Sequence, residues 1–166
     1  MVLTDSESER DYIRGLRYHG SGTATLQYGY NSCISNDHAN VLNFLMSKYK
    51  SLLSKTKKVR KLYDEKLFKL GISSVQTQSD TISNNHKFVI KVQDRDNLKL
   101  YLETKNIQSQ IHYALPLSKM KMFYTDQQMP NAEKFSQDVL SLPIHPFLED
   151  YEVARVCKCI GDFYGV

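Results

Sequence analysis

Two short motifs, Gly29–Ser32 and Ile111–Leu117, hold the residues of this 166-residue chain best suited to bind a ligand. A third motif, Ser141–Pro146, is stiffened by two prolines, which favours a structural role. The Asn31 amide, presented by a tight loop, can satisfy a phosphate oxygen without adding charge. The His112 imidazole can donate a hydrogen bond to a hydroxyl or a phosphate, and it titrates near neutral pH. Local chemistry also allows Asn31 to be an ordinary turn residue and His112 a packing residue at a strand end.

The order and separation of these motifs resemble the carboxy-terminal part of the DegT/DnrJ/StrS family, pyridoxal-phosphate (PLP)-dependent aminotransferases that act on nucleotide-linked keto sugars. The likeness extends from Met1–Asp5 to Val153–Val156. It implies an α/β (α+β) fold, namely the small carboxy-terminal domain of a fold type I, aspartate aminotransferase-like PLP-dependent transferase. Such a domain combines a long helix with a small sheet flanked by helices. The implied role is amino-sugar biosynthesis.

The resemblance also implies roles for particular residues. Asn31 would contact the cofactor phosphate of the neighbouring subunit, and His112 and Tyr113 would lie near the nucleotide sugar. The chain departs from the family at Cys33, where an arginine is usual, and at Asp37, where an apolar residue is usual. A charge-assisted hydrogen bond is worth about 1.5–3 kcal/mol, so the thiol is expected to lower phosphate affinity by one or two orders of magnitude.

A catalytic lysine is the main feature that the resemblance leaves unmatched. In the family this lysine precedes the segment matching Met1, and here the first lysine is Lys48. We therefore expect no catalytic residue in this chain, and PLP binding only with the missing catalytic part or with a partner chain. The expected partners are a second copy, a complementing amino-terminal chain and, for the complete enzyme, a nucleotide sugar. The alternative is a stand-alone, non-catalytic binding protein or remnant.

Composition excludes several other classes of protein. With 41% hydrophobic and 24% charged residues the chain is an ordinary globular one. It has neither a run of about 18 apolar residues nor a basic, apolar leader, so a cytoplasmic location without a membrane contact is expected. Three cysteines give no disulfide framework. Cys157 and Cys159 lack the further ligands that a zinc site needs, which favours helix packing over metal binding.

The first half of the chain is predicted to be helical. Thr4 and Glu7 have the spacing of a capping box before a helix from Asp5 to Tyr18. A long helix is predicted from about His38 to Leu70, where apolar residues recur every three or four positions and Thr56 interrupts the stripe. Its nine basic residues suit either a solvated helix face or a phosphate backbone. The solvated face is favoured, because no base-stacking motif accompanies the charge, and nucleic acid is not an expected partner.

The second half is predicted to alternate between strands and helices. The predicted elements are a surface loop at Ser73–Asn85, a strand at Lys87–Val92, a helix capped by Asp94, a strand at Ile107–Tyr113, a helix from Pro130 to Val139, an extended piece at Leu142–Ile144 and a helix at Tyr151–Phe163. The predicted organisation is a large-domain remnant at 1–36, a connecting helix at 37–72 and a small α/β domain at 73–166.

Overall fold

The computed structural model of the protein describes residues 2–20 and 28–166. Its backbone divides into two compact units, Met1–Lys48 and Tyr49–Val166. The boundary falls within a long helix rather than in a loop. The three-part division at 36 and 72 therefore stays a prediction about the domains of a larger enzyme.

The first helix, α1, spans Glu7–Arg17. The predicted capping box of Thr4 with Glu7 is wrong, because Ser6 is the cap and its hydroxyl accepts from the Glu9 amide at 3.3 Å. The Thr4 hydroxyl instead accepts from the Ser6 amide at 3.1 Å and donates to the Glu9 carboxylate. The helix thus starts two residues later than predicted.

The long helix, α2, spans Asn36–Lys69 and confirms the predicted element. It starts earlier than predicted because the Ser35 hydroxyl accepts from the His38 amide at 3.3 Å. It ends before Gly71, whose φ of 71° is the left-handed conformation that closes many helices. The apolar stripe predicted along α2 is buried only in the carboxy-terminal half of the helix. The buried residues of α2 are Thr56, Val59, Tyr63 and Leu67.

A three-stranded antiparallel sheet lies in the second unit. Its strands are β1 (Ser73–Ser74), β2 (Phe88–Lys91) and β3 (Val139–Leu142), in the order β1-β2-β3. Phe88 pairs with Leu142, and every residue of β3 is buried. The predicted strand at Lys87–Val92 is confirmed as β2.

Two sequence predictions about strands are wrong. Ile107–Tyr113 is not a strand, since only Gln110 forms a bridge, to Ser141. The expected extended piece at Leu142–Ile144 is instead the strand Val139–Leu142, because Pro143 has no N–H with which to continue the ladder. The loop expected at Ser73–Asn85 likewise begins with a short strand, β1.

Helices cover the sheet and complete the core. They are α3 (Arg95–Thr104), α4 (Pro130–Asp138) and α5 (Asp150–Tyr164), with short 3-10 helices at Leu117–Lys119 and Lys121–Phe123. A capping box of Glu149 with Glu152 starts α5. The core centres on Tyr63 of α2, whose ring stacks on Phe88 with centroids 4.7 Å apart. The α/β fold class is confirmed.

The described residues also bear on membrane and metal binding. In ranges 2–20 and 28–166, no helix combines the length and the apolar character of a membrane span. The same ranges contain no group of His, Cys, Asp or Glu side chains placed to hold a metal ion. Cys33, Cys157 and Cys159 are free thiols.

Candidate ligand-binding site

The Gly-Tyr-Asn turn lies in the first unit and is held by backbone hydrogen bonds to the end of α1. The Tyr30 amide donates to the Leu16 carbonyl at 2.6 Å, and the Ser32 amide donates to the Arg17 carbonyl at 3.0 Å. Asn31 forms an isolated antiparallel bridge with Tyr18. Its side chain is exposed. The turn therefore presents an amide to solvent from a backbone that hydrogen bonds hold in place.

Gly29 is required where this turn meets the end of α1. A Cβ atom at Gly29 would lie 2.1 Å from the Gly20 nitrogen and 2.6 Å from the His19 carbonyl carbon. No side chain can be accommodated at such distances, because the clash is with backbone atoms. Gly20 itself has a φ of 76°, which glycine adopts without strain.

Cys33 follows the turn with an exposed side chain. Its Sγ atom lies 3.6 Å from the Arg17 carbonyl oxygen, within reach of a weak hydrogen bond. A thiol cannot supply the positive charge of the arginine that the resemblance leads one to expect here. The Asn31 amide can therefore donate to a phosphate, but Cys33 adds no positive charge beside it.

His112 lines an open cavity of about 580 Å³ in the second unit. The register of β2 with β3 explains the cavity, because pairing of Phe88 with Leu142 brings the residues before β2 beside those after β3. The bridge between Gln110 and Ser141 brings the segment of His112 to the other edge of β3. The basic side chains that line it are His86, Lys87, His112 and His145.

The His112 ring is oriented by a buried hydroxyl. Its Nδ1 atom lies 3.0 Å from Oγ of Ser141, a residue only 6% exposed. Burial lowers the pKa of His112, and the positive charge of Lys87 and the proximity of His86 lower it further. A neutral imidazole at this position leaves one ring nitrogen to contact a ligand.

Tyr113 is exposed and does not line the cavity. Its ring packs against Lys87, whose Nζ atom lies 5.1 Å from the ring centroid. His112 and Tyr113 therefore share one cationic neighbour, Lys87. Asn31 belongs to the other unit.

Sequence reasoning missed Lys87 and gave no binding role to Ser141, His86 or His145. Lys87 lies at the start of a strand, so its sequence position gave no sign of a binding role. The pairing of β2 with β3 and the bridge between Gln110 and Ser141 together bring these residues near His112. The Nδ1 atom of His145 accepts from the Phe147 amide at 3.3 Å, in keeping with the structural role expected for its proline-flanked motif.

Comparisons with known proteins agree with the resemblance seen in the motifs. The chain is 31% identical over 164 residues to a UDP-N-acetyl-3-dehydro-alpha-D-glucosamine 3-aminotransferase of Acidithiobacillus ferrooxidans, covering 96% of this chain and 44% of that protein. It is 27% identical over 173 residues to the pleiotropic regulatory protein of Geobacillus stearothermophilus, covering 99% of this chain and 46% of that protein. The chain therefore spans about half the length of these relatives.

The fold also matches solved structures. S. venezuelae DesV, solved in complex with a ketimine intermediate, superposes with a TM-score of 0.86 at 27% identity, covering 97% of this chain and 45% of DesV. The fold is that of the carboxy-terminal part of a PLP-dependent aminotransferase. The model of the DegT/DnrJ/EryC1/StrS aminotransferase family matches residues 1–161. The chain belongs to this family.

Proposed function

We propose that this chain is the carboxy-terminal part of a PLP-dependent aminotransferase that acts on nucleotide-linked keto sugars in amino-sugar biosynthesis. The observation that carries the proposal is the family match over residues 1–161, a range that includes all three motifs. The Acidithiobacillus relative is named for such a substrate, a UDP-linked 3-dehydro sugar. In this proposal Asn31 contacts the cofactor phosphate of a neighbouring subunit, and His112 and Tyr113 contact the substrate. The proposal keeps the expected cytoplasmic location.

The residues present fit only the phosphate end of PLP. When bound, PLP supplies the electron sink that amino transfer requires. The exposed Asn31 amide suits a phosphate oxygen, but the chain has no lysine before Lys48, the first of an exposed set on α2. An exposed lysine stays protonated at neutral pH and is a poor nucleophile. We therefore propose that this chain alone does not transaminate.

An apolar face on α2 supports a partner chain. Val41, Leu42, Phe44, Leu45 and Met46 are between 48% and 66% exposed. Contiguous apolar surface of this kind marks a protein interface. We propose that a complementing amino-terminal chain or a second copy covers it.

Reconstitution tests the proposal directly. The amino-terminal half of the Acidithiobacillus aminotransferase would be mixed with this chain, PLP, an amino donor and the UDP-linked keto sugar, and product would be measured by mass spectrometry. We expect product from the mixture and none from this chain alone. Amino transfer by this chain without any partner would refute the division of labour.

Asn31 is tested in the same mixture with a matched control. We expect Asn31→Ala to weaken PLP binding about tenfold, because it removes one hydrogen bond to a charged group. Asn131→Ala changes an exposed asparagine of α4 and should leave PLP binding unchanged. Equal PLP affinity in both variants would contradict the role of Asn31.

Cys33 favours a second candidate, a stand-alone binding protein without catalysis. A thiol in place of arginine weakens the phosphate contact on which cofactor retention depends. This candidate predicts that the chain does not bind PLP in any mixture. The absorbance band of bound PLP in the reconstituted mixture separates the two candidates.

A further inference from the structure

The segment Leu115–Tyr124 exposes a set of apolar side chains in the second unit. They are between 37% and 85% exposed, and we call them the loop surface: Leu115, Leu117, Met120, Met122, Phe123 and Tyr124. Their combined exposed area is of the order of the roughly 800 Å² that each partner buries in a stable protein interface. Apolar surface of this extent marks a contact site, whereas apolar residues scattered singly over a surface do not.

Hydrogen bonds and an ion pair hold the loop surface in a fixed shape. The Thr125 amide donates to the Ser118 carbonyl at 3.1 Å, which folds the two short 3-10 helices into one closed loop. The Nζ atom of Lys119 lies 3.3 Å from Glu133 of α4, whose carboxylate also accepts from the Met129 amide at 3.3 Å. A partner would therefore meet a surface that is already ordered, which lowers the entropic cost of binding.

The charge of this segment favours an acidic partner over a second copy of the chain. Residues 115–124 include Lys119 and Lys121 and no aspartate or glutamate. Glu133 pairs with Lys119, whereas no described carboxylate forms an ion pair with Lys121. A symmetric dimer would bring two positively charged surfaces together, since it uses the same patch on both subunits. The loop surface therefore suits an apolar partner surface that carries carboxylates at its edge.

The lengths of the relatives indicate which partner this is. This chain covers 46% and 44% of the two relatives described above, so more than half of each relative has no counterpart in it. We propose that the loop surface docks the amino-terminal catalytic part of the aminotransferase, and that this part presents carboxylates opposite Lys121. The proposal rests on the proposed function and extends it by naming the surface that the amino-terminal part contacts.

The test is co-expression of this chain, carrying an affinity tag, with the amino-terminal half of the Acidithiobacillus aminotransferase. One double variant, Met122→Ser with Phe123→Ser, removes side chains that are 85% and 55% exposed from the loop surface. The matched control, Ile82→Ser with Leu100→Ser, removes side chains that are 85% and 58% exposed elsewhere in the second unit. Circular dichroism checks that both variants are folded. We expect the wild type and the control to retain the amino-terminal half on the affinity column, and the loop-surface variant to retain at least about tenfold less.

Equal retention by the loop-surface variant and the control, or no retention by the wild type, would overturn the proposal. Two further measurements on this chain alone examine other occupants. Binding to phosphatidylglycerol vesicles but not to phosphatidylcholine vesicles, lost in the loop-surface variant, would overturn the proposal in favour of an anionic membrane. A dimer in analytical ultracentrifugation that the same variant converts to a monomer would overturn it in favour of a second copy.

The carboxylates predicted on the partner have a test of their own. Lys121→Gln should lower retention of the amino-terminal half about two- to fivefold, the effect of losing one exposed ion pair. Lys69→Gln is the matched control, because Lys69 is an exposed lysine at the end of α2 and its loss changes the net charge equally. Equal retention by these two variants would overturn the contact with Lys121.

The outcome is separable from that of the proposed function, because retention requires neither PLP nor substrate. Retention without amino transfer in the reconstituted mixture would support the loop surface and refute the reaction. Amino transfer at the same rate with the loop-surface variant as with the wild type would support the reaction and refute the loop surface.

Discussion

Arg60 connects α2 to the edge of the sheet, and its removal should cost far more than removal of a neighbouring ion pair. Its Nε atom lies 2.7 Å from Asp64 Oδ2, and its Nη2 atom lies 3.3 Å from Ser74 Oγ and 3.0 Å from the Val75 carbonyl oxygen. Its guanidinium carbon lies 4.9 Å from the ring centroid of Phe88. The Arg60 side chain is only 14% exposed.

Arg60→Met keeps an unbranched side chain and removes the charge and its hydrogen bonds. Hydrogen bonds to a charged group contribute about 1.5–3 kcal/mol and a ring contact about 0.5–2 kcal/mol. Asp64 is 34% exposed, so water weakens its share of the interaction. We expect the free energy of unfolding to fall by about 2–3 kcal/mol.

The matched control is Lys61→Met, one position along the same helix. Lys61 pairs with Glu65 at 3.8 Å, with side chains 80% and 57% exposed. An exposed pair four residues apart contributes about 0.3–0.5 kcal/mol. Both variants remove an ion pair of the same spacing, but only Arg60→Met also removes the partly buried hydrogen bonds to Ser74 and Val75 and the contact with Phe88.

Urea unfolding followed by tyrosine fluorescence and circular dichroism measures the difference, because the chain has 11 tyrosines and no tryptophan. With a denaturant slope of about 2 kcal/mol per molar, Arg60→Met should move the midpoint by about 1 M or more. Lys61→Met should move it by about a quarter of that or less. Midpoint shifts that are equal in the two variants would refute the reasoning from burial.

Single side chains elsewhere give three more tests. The Tyr63 hydroxyl is buried and lacks a hydrogen-bond partner among the described residues, so Tyr63→Phe should raise the free energy of unfolding by about 1 kcal/mol in a urea titration; a loss of stability would contradict this. Burial raises the pKa of the Cys157 thiol to about 11, so a thiol reagent at pH 8 should modify the exposed Cys33 quickly and Cys157 only on unfolding, as peptide mapping by mass spectrometry will show. The fold lowers the pKa of His112, so the neutral ring contributes to stability above its ordinary pKa of about 6.5. This contribution is lost as the pH falls below that value. The urea midpoint should therefore drop less between pH 7 and pH 5 in His112→Gln than in the wild type, and an equal drop in both would contradict this.

The helices were predictable from the sequence, because their signals are local. The period of apolar residues located α2, and Gly71 marked its end. The cap of α1 was predicted at Thr4 but lies at Ser6. Both hydroxyls precede the helix, and only the backbone geometry selects between them.

Burial along α2 was less predictable than its secondary structure. Thr56 interrupts the apolar stripe and yet is buried, because its hydroxyl donates to the Leu52 carbonyl at 3.1 Å within the helix. Leu42 and Leu45 continue the stripe and are about half exposed. A periodic pattern indicates which face of a helix is apolar and does not indicate what covers that face.

The candidate site was half predictable. His112 was identified from its motif, whereas Lys87 joins it only through the pairing of β2 with β3, and Ser141 through its bridge with Gln110. The alternating pattern at Ile107–Tyr113 suggested a strand, but only Gln110 of that segment pairs with a strand, through an isolated bridge to Ser141. Long-range pairing cannot be read from local periodicity.

The edges of the small sheet determine how this protein can aggregate. β1 at one edge is only two residues long. At the other edge, the amide and carbonyl of Ser141 in β3 already bond with Gln110 at 2.8 and 3.0 Å. Few backbone groups are therefore available for a strand from another molecule, which is the usual start of fibril growth. Association of this protein should proceed through helix side chains and give assemblies that do not bind amyloid dyes.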